Sequence, residues 1–193
     1  MSEGVDTVVL YNELAYHDVL PVAWQPRDRP FSRFETANLE ESNLLLLQAS
    51  AAIEEHPIRD QGEDPGPLAG EIARLDLKLN LVLQLLARLA IKDRLPVPTM
   101  IQFNSHGASW TAIGPAPAVD SPGLLRIHLH ASLPQSLDLP CVISQVEGSQ
   151  VRARFQELPE PIAELIHRLA FLRHRRDVAD ARKARESGTP ASD

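Results

Sequence analysis

The hydrophobic residues of this chain follow two periodicities, one in its middle and one in its second half. In the middle, large apolar residues recur at alternating steps of four and three, which places them along one face of an α-helix. A helix over residues 68–92 would be about 37 Å long. The residues of this heptad seam are Leu68, Ile72, Leu75, Leu79, Val82, Leu86 and Leu89.

From Pro96 onward, short runs alternate apolar and polar residues between glycines and prolines, as antiparallel strands do. An earlier apolar run, Val19–Trp24, predicts one more strand that ends at Pro26. Glu147–Ser149 predicts a hairpin turn between the last two strands. The strands predicted in the second half are Thr99–Phe103, Ser109–Ile113, Gly123–Leu129, Cys141–Val146 and Gln150–Phe155.

Two further helices flank these segments. Asn38 and Glu41 fit a capping box and predict a helix over 39–55 that Pro57 stops. Pro159 and Pro161 predict the start of a final helix up to residue 176. The pattern therefore predicts one domain built from residues 1–37 and 96–176, a two-helix insertion over 38–95, and a disordered tail over 177–193.

The composition of the heptad seam favours self-association. Leucine at the a position with a β-branched residue at d disfavours parallel dimers, and the apolar flanks Leu83 and Leu85 widen the face. Burying seven large side chains is worth about 14 kcal/mol before opposing terms. The alternative is that this helix packs on its own domain or on the predicted helix over 39–55. We expect a homo-oligomer, with a tetramer favoured over a dimer.

Charge and residue usage narrow the function. The net charge of −7 gives little support for nucleic-acid binding. The single cysteine, Cys141, excludes an internal disulfide, and a reducing cytoplasmic location fits that usage. The N-terminus carries acids rather than the positive charge of a signal peptide, and no stretch predicts membrane insertion.

No catalytic set is visible in the sequence. Phosphate-cradling loops and nucleophile elbows are absent as motifs. His128 and His130 share one face of a predicted strand, but no third ligand follows in sequence, so we expect no metal site. We therefore expect no enzyme activity and no cofactor.

A basic patch lies near the C-terminus. It is a solvated helix end or a docking surface for an acidic partner or a nucleotide phosphate, and positive charge there also complements the helix dipole. Its members are Arg173, Arg175, Arg176, Arg182, Lys183 and Arg185.

The segment from Pro96 to Arg176 resembles a PilZ domain. The likeness lies in FNSHGASWTAI, in the alternating run GLLRIHLHASL, and in a strand ending RARF that precedes a helix with spaced leucines. The resemblance implies a six-stranded antiparallel β-barrel with a C-terminal helix, and the Val19–Trp24 strand as its first strand. With the insertion, the chain resembles the atypical tetrameric PilZ proteins of xanthomonads, whose central heptad helix assembles four chains.

PilZ domains bind cyclic di-GMP through an RxxxR motif before the first strand and a (D/N)xSxxG motif further on. Arginines pair with phosphates and guanine, and small residues let the backbone approach the ligand. Arg29–Arg33 has the first spacing but follows the first strand, and Asn104–Gly107 is a shortened form of the second motif. The resemblance implies as ligand residues Arg29, Arg33, Asn104, Ser105 and Gly107.

The sequence thus predicts a non-enzymatic bacterial signalling or scaffold protein of the cyclic di-GMP network. We expect it to self-associate through the heptad helix and to act by contact with other signalling proteins in the cytoplasm. The alternative is a genuine receptor that binds cyclic di-GMP on the barrel.

Overall fold

The computed structural model describes residues 8–55, 95–130 and 133–187, together with seven residues of a central helix, which are 75, 78, 79, 81, 82, 85 and 86. The strands are β1 (Val9–Leu10), β2 (Glu13–Leu14), β3 (Tyr16–Pro26), β4 (Pro98–Phe103), β5 (Gly107–Thr111), β6 (Pro122–Ile127), β7 (Leu137–Glu147) and β8 (Gln150–Phe155). The flanking helices are α1 (Arg33–Glu55) and the C-terminal helix α2 (Glu160–Ser187).

Strands β3 to β8 form a closed antiparallel barrel in the order β3-β4-β5-β8-β7-β6. The long strand β3 closes it by pairing with two neighbours in succession. Its first part pairs with β4, where Tyr16 lies opposite Phe103, and its second part pairs with β6, where Val22 lies opposite Ile127. The predicted fold class, a six-stranded barrel with a C-terminal helix and helical additions, is confirmed.

Alternation along the strands fills the barrel with aliphatic side chains, because successive residues point to opposite faces. Leu125 and Leu139 are directly opposite each other on β6 and β7, and both are fully buried. Tyr16 and Phe103 add an aromatic pair with ring centroids 5.1 Å apart. Cys141 belongs to this core, and burial raises the pKa of its thiol to about 11.

Strand β7 begins four residues earlier than the predicted Cys141, and it contains Pro140. Proline cannot donate to a ladder, so it is tolerated where a neighbour has ended. The pairing of β7 with β8 starts only at Cys141, opposite Phe155, and the Pro140 carbonyl accepts from the Gln156 N–H at 3.0 Å. Proline therefore did not mark a strand boundary here.

The start of α1 corrects the prediction at Asn38. The helix begins at Arg33, because Ser32 and Glu35 form the capping box. The Glu35 carboxylate accepts from the Ser32 N–H at 2.8 Å, and the Ser32 hydroxyl accepts from the Glu35 N–H at 3.3 Å. The hydrogen bonds from Ser32 and the guanidinium of Arg27 lower the pKa of Glu35 to about 2.

The inner face of α1 covers the barrel beside α2. Leu46, Leu47 and Ala51 are buried in the same core cluster as the barrel interior. Asn43 fixes the contact, since its amide donates to the Asp138 carbonyl at 2.8 Å and accepts from the Asp138 N–H at 2.9 Å. The first helix of the predicted insertion thus belongs to the domain core.

Helix α2 buries an apolar stripe that includes Ile162, Ile166 and Leu169. It continues past Arg176 to Ser187, so the predicted disordered tail over 177–193 is wrong for residues 177–187. The remaining residues, 188–193, lie outside the described part of the chain. The helix continues because alanines and arginines favour it even without an apolar stripe.

Charged side chains tie the end of α1 to α2 and β3. Glu54 is only 3% exposed, and its carboxylate lies 2.6 Å from the Arg176 guanidinium. Arg173 bridges Asp18 at 3.2 Å and Asp177 at 3.5 Å. We call these five residues the junction cluster, because they join three elements at the base of the insertion.

Candidate functional site

The turn between β4 and β5 is held by the buried side chain of Asn104. Its carbonyl oxygen accepts from the N–H groups of His106 (2.9 Å) and Gly107 (3.3 Å), the local turn chemistry that asparagine supplies. Its amide donates to the Leu10 carbonyl at 2.5 Å. Asn104 therefore fastens the hairpin β1–β2 to the barrel.

Gly107 sits where the hairpin meets the barrel most closely. A Cβ there would lie 2.2 Å from the Ala153 carbonyl oxygen and 2.6 Å from the Tyr11 ring, so only glycine fits. Tyr11 and Asn12 form the two-residue hairpin turn, both with positive φ (51° and 67°). The space that Gly107 leaves open is thus occupied by the ring of Tyr11 from the same chain.

Tyr11 also borders a cleft of about 530 Å³ next to this turn. Its hydroxyl donates to the Ala153 carbonyl at 3.1 Å, and the Arg154 guanidinium lies 5.0 Å from its ring centroid, a cation–π arrangement. Ser105 and His106 line the same cleft. The residues around it are Tyr11, Asn12, Ser105, His106, Arg154, Phe155, Gln156, Glu157, Leu158 and Ala163.

His106, which lines the cleft, contacts an exposed acid of the hairpin. His106 Nε2 lies 3.0 Å from a carboxylate oxygen of Glu13, and both side chains are well exposed. Exposed pairs of this kind contribute little stability. The cleft nevertheless combines the aromatic ring of Tyr11, the guanidinium of Arg154, the hydroxyl of Ser105 and the imidazole of His106. Groups of these kinds stack on bases and bind phosphates.

The five residues predicted from the family motifs fall into two places. Asn104, Ser105 and Gly107 lie together at the β4–β5 turn, opposite the start of β3. Arg29 and Arg33 lie beyond the other end of β3, in the loop before α1 and at its first residue. Strand β3 spans about 33 Å between these ends, so one chain does not bring the two groups together.

The central helix presents a second candidate site. The residues described in it are helical, and the apolar ones are more than half exposed. Those exposed residues are Leu75, Leu79, Leu81, Val82, Leu85 and Leu86. Leu75, Leu79, Val82 and Leu86 of the predicted seam share one face at helical spacing, whereas Leu68, Ile72 and Leu89 lie outside the described residues.

The side chains of the two histidines that were predicted to lie on a strand are partly buried. His128 and His130 follow β6, and burial lowers the pKa of both imidazoles. Among the residues that the structure describes, no three His, Cys, Asp or Glu side chains are grouped as metal ligands would be. Within that same part of the chain, no helix is long and apolar enough to cross a membrane.

Sequence reasoning missed Tyr11 and Arg154. The run around residues 5–25 alternates too loosely to indicate a separate hairpin, although Asn12 between two short apolar runs is typical of a tight turn. Arg154 belongs to an ordinary alternating strand, and only the pairing of Gly107 with Arg154 across β5 and β8 brings it to the turn.

A family model described as "atypical PilZ domain, cyclic di-GMP receptor" matches residues 47–183. The chain belongs to the atypical PilZ family. The match covers the end of α1, the segment between α1 and β4, strands β4 to β8 and most of α2, whereas the first barrel strand, β3, precedes it. The resemblance predicted from the sequence is confirmed, and the chain is a protein of the cyclic di-GMP network.

A solved structure shares this PilZ fold. It is the crystal structure of a pathogenic protein from Xanthomonas campestris, described as a new tetrameric PilZ domain self-assembled via an unusual helical bundle. The two chains are 23% identical, with a TM-score of 0.65 over 89% of this chain and 93% of that one. No curated protein matches the sequence.

Proposed function

We propose that this PilZ protein self-associates through its central helix and acts in the cyclic di-GMP network by protein–protein contact, without catalysis. The observation that supports it most directly is the row of leucines and valine in that helix, which are 51–63% exposed in the single chain. Burying six such side chains would stabilise an assembly by about 10 kcal/mol before entropic costs. A soluble monomer rarely leaves such a face uncovered.

The tetrameric assembly of the Xanthomonas campestris protein supports four chains as the expected number. Its fold matches this chain over most of the length of both. A widened heptad face is what a four-helix core would bury. We therefore propose a homotetramer in which the barrels lie outside a helical bundle.

The second candidate function is direct cyclic di-GMP binding, which the family description and the cleft beside Asn104–Gly107 favour. In this proposal Arg154 would pair with a phosphate, and Ser105 would contact the ligand. Arg29 and Arg33 remain the family-motif residues to test. Tyr11 already fills the space beside Gly107, so the nucleotide would have to share the cleft with its ring or displace it.

The experiment is native mass by size exclusion with light scattering, with and without cyclic di-GMP. We expect a mass near four times the chain mass of 21.3 kDa, unchanged by the nucleotide. A monomer would contradict the proposal, and a mass that changes with nucleotide would favour the receptor.

Calorimetry with cyclic di-GMP tests the receptor function separately. Saturable heat that is lost in Arg154→Ala, but kept in Arg152→Ala on the same strand, would establish the cleft as the site. Loss in Arg29→Ala or Arg33→Ala instead would place the site at the far end of β3. Absence of saturable heat leaves the scaffold function.

A further inference from the structure

The outward face of α2 carries a row of arginines that the sequence alone could not separate from the other basic residues. Arg173 and Arg176 point inward to the junction cluster, where Asp18, Asp177 and Glu54 neutralise them. The outward arginines are Arg168, Arg175 and Arg182, all exposed. Of the predicted basic patch, Arg173 and Arg176 are therefore structural, and Arg175 and Arg182 are surface arginines. Arg168 of the same helix adds a third surface arginine, which also interacts within the chain.

The surface arginines are seven residues apart, which puts them on one face at intervals of about 10.5 Å. Phe171 lies between the first two and is half exposed, with the Arg175 guanidinium 5.9 Å from its ring centroid. His167 and His174 flank the same face. We call the exposed set of Arg168, Phe171, Arg175 and Arg182 the arginine face.

Between residues 167 and 182 the acids of α2 lie elsewhere. Asp177 turns inward to His17 and Arg173. Asp180 is two residues from Arg182 and so lies across the helix from it. From Arg168 to Arg182 this face is about 21 Å long and thus carries positive charge on a chain whose net charge is −7.

We propose that the arginine face docks an acidic α-helix of a partner protein, with carboxylates at seven-residue spacing and an apolar residue against Phe171. Arginine and aromatic side chains dominate the energetics of protein interfaces, and complementary charge fixes the orientation of the partner. A regular row on one continuous helix matches a second helix better than a flexible acidic loop. This inference extends the proposed action by protein contact and does not depend on the tetramer.

Two other occupants fit less well. Duplex DNA would be repelled by the acidic body of the protein. A second copy would have to offer an acidic helical face, but the described outward face of α1 includes Phe34 and Leu45, with Glu41 the acid between them. The observations therefore favour a different, acidic protein.

The test uses a fluorescein-labelled helical peptide of about 21 residues with Glu at seven-residue spacing beside a leucine stripe, and measures anisotropy with the full-length protein. Arg175→Glu with Arg182→Glu should weaken binding at least tenfold, and Phe171→Ala should weaken it severalfold. Arg152→Glu, an exposed barrel arginine, is the matched control and should change affinity less than twofold. Arg168→Ala is a further variant, since that arginine also has an interaction within the chain.

The proposal is overturned if the double variant binds like the wild type, if Arg152→Glu weakens binding equally, or if a scrambled peptide of the same composition binds as well. Tighter binding of a 20-base-pair duplex, lost in the same variants, would identify a nucleic-acid surface instead. A change in native mass of the double variant alone would identify a second copy as the occupant. Unchanged mass keeps this result separate from self-association.

Discussion

The barrel and the central helix use the same aliphatic residue types in opposite circumstances. Leu125 and Leu139 of the barrel are fully buried by their own chain, whereas Leu79 and Leu86 of the central helix are more than half exposed. The barrel achieves burial by closing on itself through β3. Apolar content therefore shows that a surface must be covered, and only the fold shows whether the same chain covers it.

The largest effect is expected from charges placed on the central helix. Leu79→Asp with Leu86→Asp should reduce the native mass from that of the proposed tetramer to that of one chain, because four copies of each carboxylate would be buried in the proposed bundle. Light scattering measures the mass, and circular dichroism should still show the β-sheet. Val119→Asp changes a similarly exposed aliphatic residue in the loop between β5 and β6 and should leave the mass unchanged. An unchanged mass in the helix variant would mean that the helix packs on its own domain.

A core truncation in the barrel should lower the stability of the chain and leave its native mass unchanged. Leu139→Ala removes a fully buried side chain and should lower the free energy of unfolding by about 2–5 kcal/mol, because it leaves a cavity. Urea denaturation measures this loss, and the native mass should not change. Val142→Ala, on the outward side of the same strand, should cost less than 1 kcal/mol. Dissociation by Leu139→Ala would show that barrel packing and assembly are coupled.

The junction cluster joins the barrel strand β3 to α2 and to the end of α1. Glu54→Gln removes the carboxylate opposite Arg176 and should cost about 1–2 kcal/mol, less than a fully buried pair because Arg176 is one-third exposed. Chemical denaturation of this variant should be compared with Glu157→Gln, an exposed acid in the loop after β8. Equal stability of both variants would show that the pair contributes nothing measurable.

The smallest expected effect concerns pH. Burial lowers the pKa of His130, a shift that Glu54 and Asp18 oppose and that Arg176 reinforces. The unfolded chain then binds a proton near pH 6.5 that the folded chain does not, so stability present at pH 7 should fall as the pH drops toward 5. His130→Gln should flatten this dependence in denaturation midpoints. A dependence of the same slope in that variant would assign it to other groups.

Much of the barrel could be predicted from the sequence because strand alternation repeats many times and each repeat supports the others. The β8 bounds match, and those of β4 and β6 differ by one or two residues. The start of α1 could not be predicted in the same way. Ser32–Glu35 and Asn38–Glu41 are both capping boxes by spacing, and the first lies among arginines and phenylalanines without helical periodicity.

The candidate site was only half predictable. Asn104 and Gly107 were identified from the family motif, and the structure gives them a role in holding the N-terminal hairpin as well. Their neighbours Tyr11 and Arg154 are distant in sequence, and only strand pairing brings them together. Whether cyclic di-GMP contacts any of the five motif residues stays a prediction.

Strand β3 also has a consequence for aggregation. Without it, β4 to β8 would form an open five-stranded sheet whose two outer strands, β4 and β6, both present unpaired backbone groups. Strand β3 therefore pairs with both of these exposed edges. Because 71 residues separate Pro26 from Pro98, β3 depends on slow, long-range pairing to do so. A nascent or truncated chain in which β3 has not docked is thus the form of this protein most exposed to edge-to-edge association.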